Sequence, residues 1–290
     1  MSEWINTLLQ GLLMGGLYSL FATGLALSFG VMRMINIAHG DFAILAAYAA
    51  IAVVEPLGWS PYAVIFLVVP LMAVFGYVLQ RVILNRTLGQ DILPPLLVTF
   101  GLSIVIQNLL LVLFSADTRS LPAGSLGTDS LSLGGDVAVG LLPLLTMAVA
   151  LAVLGALQWL FTASALGRAF RAASDDQEAV RLMGVNHRHI YGLAMALAMA
   201  IVAVAGVFLA LRANISPADG PLRLLYAFEA VIIGGLGSLW GTLAGGIILG
   251  VAQSIGLKAD PGWGILAGHL AFLAVLVVRP NGLFPRTRDR

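Results

Sequence analysis

Residues 167–186 read Gly167-Arg168-Ala169-Phe170-Arg171-Ala172-Ala173-Ser174-Asp175-Asp176-Gln177-Glu178-Ala179-Val180-Arg181-Leu182-Met183-Gly184-Val185-Asn186, and they form the only long polar interruption between two runs of otherwise apolar sequence. Everything to either side reads as membrane. Within the stretch, Ser174-Asp175-Asp176-Gln177 has capping-box spacing: the Ser174 hydroxyl can bond the Gln177 amide while the Gln177 side chain reaches back, and both aspartates meet the positive helix end. A helix is expected to start at Ser174. It should stop about two turns later, where Arg181 suits the negative end, Gly184 can take the left-handed position and Val185 can close against Val180. Helices below about 12 to 15 residues are marginal alone in water. This one must therefore lie on something, either as a connector resting on the ends of two spans or as an element docked to another protein.

Composition sets the class. The 290 residues are 60% hydrophobic and only 10% charged, against about 25% charged in soluble domains. With a mean hydropathy of +0.99, that deficit points to a polytopic membrane protein rather than a soluble core. A net charge of +1 gives no sign of nucleic-acid binding. The absence of cysteine removes disulfide frameworks, thiolate zinc sites and cysteine nucleophiles. Met1-Ser2-Glu3 lacks the basic n-region of a cleavable signal, so the apolar run from Trp4 is expected as a mature span.

Apolar runs of spanning length fall at roughly 4–29, 61–84, 93–115, 137–161, 191–211 and 263–279. Two less regular stretches, 41–58 and 224–257, add two or three segments, the second being broken around Gly234-Gly235-Leu236-Gly237. The expectation is an all-α, polytopic integral membrane protein of about eight or nine membrane segments, including broken or re-entrant helices, in one transmembrane domain over 1–290. Alternating outward from a cytoplasmic central loop at about 164–190 puts eleven basic residues on that side and four, Arg119, Arg212, Arg223 and Lys258, on the other, as the positive-inside bias requires. The 116–136 stretch then reads as a flexible external loop. The glycines Gly11, Gly15, Gly16, Gly241, Gly245, Gly246 and Gly250 have the small-residue spacing that lets helices approach closely in lipid.

Two places could carry chemistry. In Arg33-Met34-Ile35-Asn36-Ile37-Ala38-His39-Gly40-Asp41-Phe42, ionisable groups sit beside apolar sequence, where they face a cavity or each other. The stretch is either a solvated loop or a broken helix whose halves Asn36 and Asp41 cap, with the bend at Gly40. In Tyr226-Ala227-Phe228-Glu229-Ala230-Val231-Ile232-Ile233-Gly234-Gly235-Leu236-Gly237, an acid again lies inside an apolar run beside glycines that weaken a helix by about 1 kcal/mol each. Asn36, His39, Asp41 and Glu229 are accordingly the candidate translocation-path residues, a Gly-interrupted segment in each half being a pointer to a transport site between repeats. His269, alone on an apolar helix, reads as a hydrogen-bonded packing residue. No His-Glu-x-x-His, Gly-x-Ser-x-Gly or Walker A motif occurs, so no catalytic or metal-ligating residue is assigned and ATP is expected to be handled elsewhere.

A resemblance sharpens this reading. Glu178-Ala179-Val180-Arg181-Leu182-Met183-Gly184 resembles the Glu-Ala-Ala-three-residues-Gly loop of permeases of ATP-driven importers, with Val180 in place of the second alanine. The flanks Gly167 to Ala172 and Gly184-Val185-Asn186, the Asn36 to Asp41 run, and Tyr226 to Gly237 continuing through Ser238-Leu239-Trp240-Gly241-Thr242 resemble the branched-chain amino acid permeases of the LivH type. The resemblance implies that Ser174, Asp175, Glu178, Ala179 and Gly184 form the ATPase-coupling helix and that the Asn36 to Asp41 run lies beside the path. It also implies a multi-pass inner-membrane protein, not itself an enzyme, that binds no cofactor while its companion subunits use ATP. The implied partners are a second homologous permease, two cytoplasmic ATPase subunits, a periplasmic substrate-binding protein, the amino-acid substrate (leucine, isoleucine or valine) and the lipid bilayer. A urea or short-amide permease of the same type is the alternative. An ion-coupled secondary transporter using Asp41, Glu229 and His269 is the alternative of a different class, and it has no need of a doubly capped cytoplasmic helix.

Overall fold

The computed structural model describes residues 2–88, 93–134, 136–175 and 186–284, and among these seven helices are long and apolar enough to cross a membrane. They are α1 (Ser2–Met32), α2 (His39–Leu57), α3 (Ile65–Val82, continued by a 3-10 turn over Leu84–Arg86), α4 (Leu93–Phe114), α6 (Leu141–Ala163), α8 (His187–Arg212) and α10 (Leu239–Ala259). Two shorter helices, α9 (Gly220–Gly234) and α11 (Trp263–Val278), complete the expected eight or nine segments. Between α4 and α6 lie a single helical turn, α5 (Ser125–Thr128), and a hairpin of β1 (Ser130–Gly134) and β2 (Val137–Gly140). A surface helix, α7 (Ala165–Asp175), follows α6.

The hairpin marks one end of the molecule. Asn6 near the start of α1 donates to Asp136 O (2.7 Å) and accepts from Ala138 N (3.1 Å). At the other end of α1, the Ser174 hydroxyl on α7 donates to Gly30 O at 2.6 Å. We call these the hairpin end and the central-loop end. Helix α1 runs from the first to the second and α8 runs back, and both are apolar all round, which fits their central, largely buried positions. Helices α3, α4 and α6 bury much less of themselves and present Phe66, Val112 and Trp159 outward, as lipid-facing spans do.

Two of the elements are half-helices. Arg33 takes a left-handed conformation (φ 51°) and ends α1; residues 33–38 then turn back into the protein without helical structure. Helix α2 therefore begins deep, where the His39 ring meets Phe21 O at 2.9 Å, about 16 Å short of the end of α1 at 1.5 Å per residue. The same device recurs with opposite polarity. After α8 ends at Arg212, residues 213–219 fold inward, held by Ile215, whose backbone pairs with Arg119 (2.8 and 2.9 Å) and accepts from the Tyr48 hydroxyl (3.1 Å). Helix α9 then starts with Gly220 against Asp41 of α2. Packing repeats this inversion: α1 pairs along its length with α10 as α8 pairs with α3, while α2 rests on α8 as α9 rests on α1. The segments α1-α2-α3 and α8-α9-α10 thus form an inverted pair, the arrangement that places transport sites between repeats.

The α1–α10 contact is a backbone seam. A Cβ added at Gly15 would lie 2.5 Å from Ile247 Cα, and one at Gly11 would lie 2.7 Å from Val251 Cα. Small residues allow this approach, and van der Waals contact then replaces the hydrophobic drive that lipid cannot supply. Across the same seam Thr23 and Thr242 hydroxyls meet at 3.3 Å.

The helix expected over 174–184 falls almost wholly outside the described residues; Ser174 itself lies in the last turn of α7, which begins at Ala165, where the Ser164 hydroxyl accepts from Gly167 N at 2.9 Å, the job an N-cap does. Two expectations are corrected. The break in the first polar stretch lies at 33–38, and Gly40 sits inside the first turn of α2 rather than at a bend. The 116–136 stretch is not merely a flexible loop, since it holds α5, most of the hairpin and the Arg119–Ile215 bridge.

Candidate functional site

The half-helices meet at their N-termini. A Cβ on Gly40 would strike Gly220 O and come within 2.7 Å of Leu224 N, while one on Gly220 would run into the Asp41 carboxylate. Only glycine on both sides permits this crossing. Asp41 lies in the first turn of α2 and against the start of α9, so its carboxylate faces the positive ends of two helices. Its Oδ1 accepts from Gln107 Nε2 (2.9 Å), which also bonds the Ser103 hydroxyl (3.1 Å). Oδ2 is buried with no partner among the described residues. A buried oxygen without a donor is costly.

Asn36 and His39 support the crossing rather than face it. Asn36 Oδ1 accepts from Ala38 N at 3.1 Å and its carbonyl accepts from His39 N at 3.2 Å, forming the tight turn that leads into α2. It acts from the loop, and the N-cap position is Ala38, which has no side-chain cap. His39 is spent on Phe21 O, and Thr99 on α4 receives Ile37 N at 3.2 Å. Glu229 is not part of this cluster. It lies on α9 about 13 Å further along the axis, buried, with one oxygen in close contact with His269 Nδ1 of α11 and the other without a partner among the described residues. Thus the sequence candidates form two separate sites, Asp41 with its supports and Glu229 with His269. His269 is a hydrogen-bonded packing residue as expected, with Glu229 as its partner.

At the central-loop end, Ser174 is the described member of the expected coupling group whose geometry is clearest. Besides its bond to Gly30 O, its carbonyl accepts from Arg33 Nη2 at 3.2 Å. These contacts tie α7 to the end of α1. Arg171, one turn earlier, donates to Phe161 O on α6. An open cavity of about 530 Å³ lies behind α7, between Gly30, Phe161, Phe170, Arg171, Ser174 and Trp240. Asp175 ends the described helix. Glu178, Ala179 and Gly184 lie outside the described residues, as does the capping partner Gln177.

Reading the sequence missed the polar groups that support Asp41, because Ser103 and Gln107 sit singly in the apolar run of α4. Nor did the sequence mark Tyr18 of α1, which donates to Gln253 Oε1 and lies at a tilt against Tyr226 with centroids 5.1 Å apart. Among the described residues no group of three or more His, Cys, Asp or Glu side chains could hold a metal ion. The described site is a close backbone crossing of two half-helices with isolated buried polar groups around it.

The comparisons agree with this architecture. A protein family described as the permease component of branched-chain amino acid transport systems matches residues 7–277. The high-affinity branched-chain amino acid transport system permease protein BraD of Pseudomonas aeruginosa is 31% identical over 98% of this chain and 96% of its own length. The corresponding LivH protein of Escherichia coli is 26% identical over the same shares, 98% and 96%. Among solved structures, PsaBC from Streptococcus pneumoniae in complex with Fab aligns over 96% of both chains with a TM-score of 0.50 at 16% identity, a likeness of fold alone. With the family match running from α1 to α11 and the half-helices at its centre, this multi-pass inner-membrane protein belongs to the branched-chain amino acid transport system permease component family.

Proposed function

We propose that the chain is a permease subunit of an ATP-driven importer and forms part of the path for leucine, isoleucine and valine. The observation that carries this is the full-length family match joined to a crossing of two half-helices at depth, where the backbone interruption lies inside protein. In the importer the path runs along the α2–α9 crossing, with Asp41 as the polar landmark. The solute is a compact zwitterion with an apolar side chain, and a substrate-binding protein delivers it at the hairpin end, which faces the periplasm. A second, related permease completes the path. The segment after α7 rests on an ATPase subunit at the cytoplasmic central-loop end, and Ser174 and Arg33 hand its movement to α1. ATP is bound and hydrolysed by two such subunits and this chain carries no catalytic residue of its own.

Affinity purification from native membranes tests the assembly, followed by uptake into proteoliposomes loaded with ATP. Two ATPase subunits and a second permease should copurify, and leucine uptake should compete with isoleucine and valine. Isolation of a lone oligomer whose uptake stops when a protonophore collapses the proton gradient would instead identify an ion-coupled carrier.

A further inference from the structure

The cavity behind α7 has no part in the half-helix crossing. It is a cleft whose floor is α1, from Ala26 to Val31, with the end of α6 and the start of α10 as walls and α7 as a third wall. At about 530 Å³ it falls in the range that encloses a drug-sized molecule.

The lining divides by chemistry. Phe161, Phe170 and Leu239 make the cleft apolar inside, while Trp240 and Phe284, which also line it, are 50% and 54% exposed. Aromatic rings left open at the mouth of an apolar cleft suit contact with lipid or protein rather than water. Trp159, near the end of α6, is 67% exposed at the same end of the molecule. Trp at these places marks the level of a membrane interface. Helix α7 agrees, since it buries Gly167, Phe170 and Ala173 and leaves Arg168 exposed, the form of a helix that lies in the headgroup layer with basic side chains outward.

One charged side chain, Arg171, lines the cleft among the described residues, and no carboxylate does. Its Nη1 donates to Phe161 O, which fixes the guanidinium at the wall. No ion pair joins it to a described residue. The neutral Gln158 amide and the Ser238 hydroxyl are further polar groups of the lining. A guanidinium with remaining donors, set in an apolar cleft between spanning helices at the interface, is matched by a phosphodiester that carries acyl chains.

We propose that this cleft holds one anionic phospholipid of the cytoplasmic leaflet, its phosphate on Arg171 and Gln158 and an acyl chain along Phe161, Leu239 and Trp240. The lipid touches α1, α6, α7 and α10 together, so its occupancy bears on how α7 is seated against α1. The inference rests on the cytoplasmic placement of the central-loop end proposed above and is independent of the transported solute.

Native mass spectrometry of the purified permease–ATPase complex, titrated with phosphatidylglycerol or with phosphatidylcholine of the same chains, tests it. Wild type should bind phosphatidylglycerol at least about fivefold more tightly, the share of one basic residue facing an anionic lipid. Arg171→Gln should remove most of that preference. Thr162→Trp, at an exposed position on the wall, fills the cleft without touching the core; the complex should stay assembled and bind phosphatidylglycerol roughly fivefold or more weakly. Arg168→Gln, outside the cleft, should stay within about twofold of wild type. Equal affinity for the two lipids in wild type, unchanged phosphatidylglycerol affinity in both Arg171→Gln and Thr162→Trp, or an equal loss in Arg168→Gln overturns the site. Displacement of the lipid by inorganic phosphate would assign Arg171 to a free anion instead. Because the chain has no cysteine of its own, Thr162→Cys carrying a benzophenone maleimide reports what covers the cleft in the assembled complex. Its photoadduct should be with lipid, and an adduct with the second permease would overturn the proposal. None of these readouts uses leucine, so a permease for urea would give the same results and the substrate reading fails or stands separately.

Discussion

Replacing Gly40 by alanine tests whether the half-helix crossing holds the fold together. In an ordinary helix the change would help, by up to about 1 kcal/mol from propensity. At this position the new methyl meets Gly220 O and lies 2.7 Å from Leu224 N. Both are backbone atoms of the first turn of α9, so no side-chain rotation relieves the clash and the two helices must separate. Overpacking in a tight core costs typically 1–3 kcal/mol; with rigid backbone against the new methyl the upper end applies, and less a propensity gain of up to about 1 kcal/mol the expected net loss is about 2 kcal/mol. Gly101→Ala is the matched control, since a Cβ there meets nothing within 4 Å and only the propensity term applies. At about 2–4 °C per kcal/mol for a chain of this size class, Gly40→Ala should melt about 4–8 °C below wild type in detergent, and Gly101→Ala should melt at or above it. Uptake per folded permease should fall in the first variant alone. Equal melting temperatures for the two variants would refute the crossing as a close backbone contact.

Asp41→Asn keeps the acceptor for Gln107, so partial uptake should persist, track ATP and ignore a protonophore; complete loss together with sensitivity to the proton gradient would point to ion coupling at this carboxylate. Ser174→Ala removes the bond to Gly30 O, worth about 1 kcal/mol, and should lower uptake per permease while ATPase copurification stays normal. Glu55→Gln breaks the Arg119–Glu55 pair, which lies at the surface with the two side chains 32% and 49% exposed, and should shift stability by less than about 1 kcal/mol; a melting temperature within about 2 °C of wild type checks this.

What could be read from the sequence was set by local physics. Apolar length fixes a span regardless of its neighbours, so α1, α3, α4, α6, α8 and α11 are legible to within a few residues, and Gly234-Gly235-Leu236-Gly237 does separate two helices. Depth is different, because it depends on which element lies alongside. Residues 33–38 look like a surface loop until His39 is seen to bond Phe21 O. Ser174 has the pattern of a cap, yet its hydroxyl also donates to Gly30 O of α1, a partner no local pattern names. Of the path candidates, Asp41 stands out in the sequence because an acid in an apolar run is costly at depth, and the structure does bury it. Gln107 and Ser103 carry no such mark, and only the packing of α4 on α2 brings them to it.

The crossing at Gly40 and Gly220 has a mechanical consequence as well. From that contact α2 extends about 27 Å to the hairpin end and α9 about 21 Å to the central-loop end, at 1.5 Å per residue, so the crossing divides the two levers almost evenly. With no side chain between the two backbones, neither helix can slide past the other without a clash, but each can tilt. A tilt of about 5° would move either far end by roughly 2 Å, in opposite senses, as a hinge of fixed position requires. Spin labels placed on α2 and α9 near their far ends should then report one distance opening as the other closes through the ATP cycle. A fulcrum of this kind lets one end of a path widen only as the other narrows.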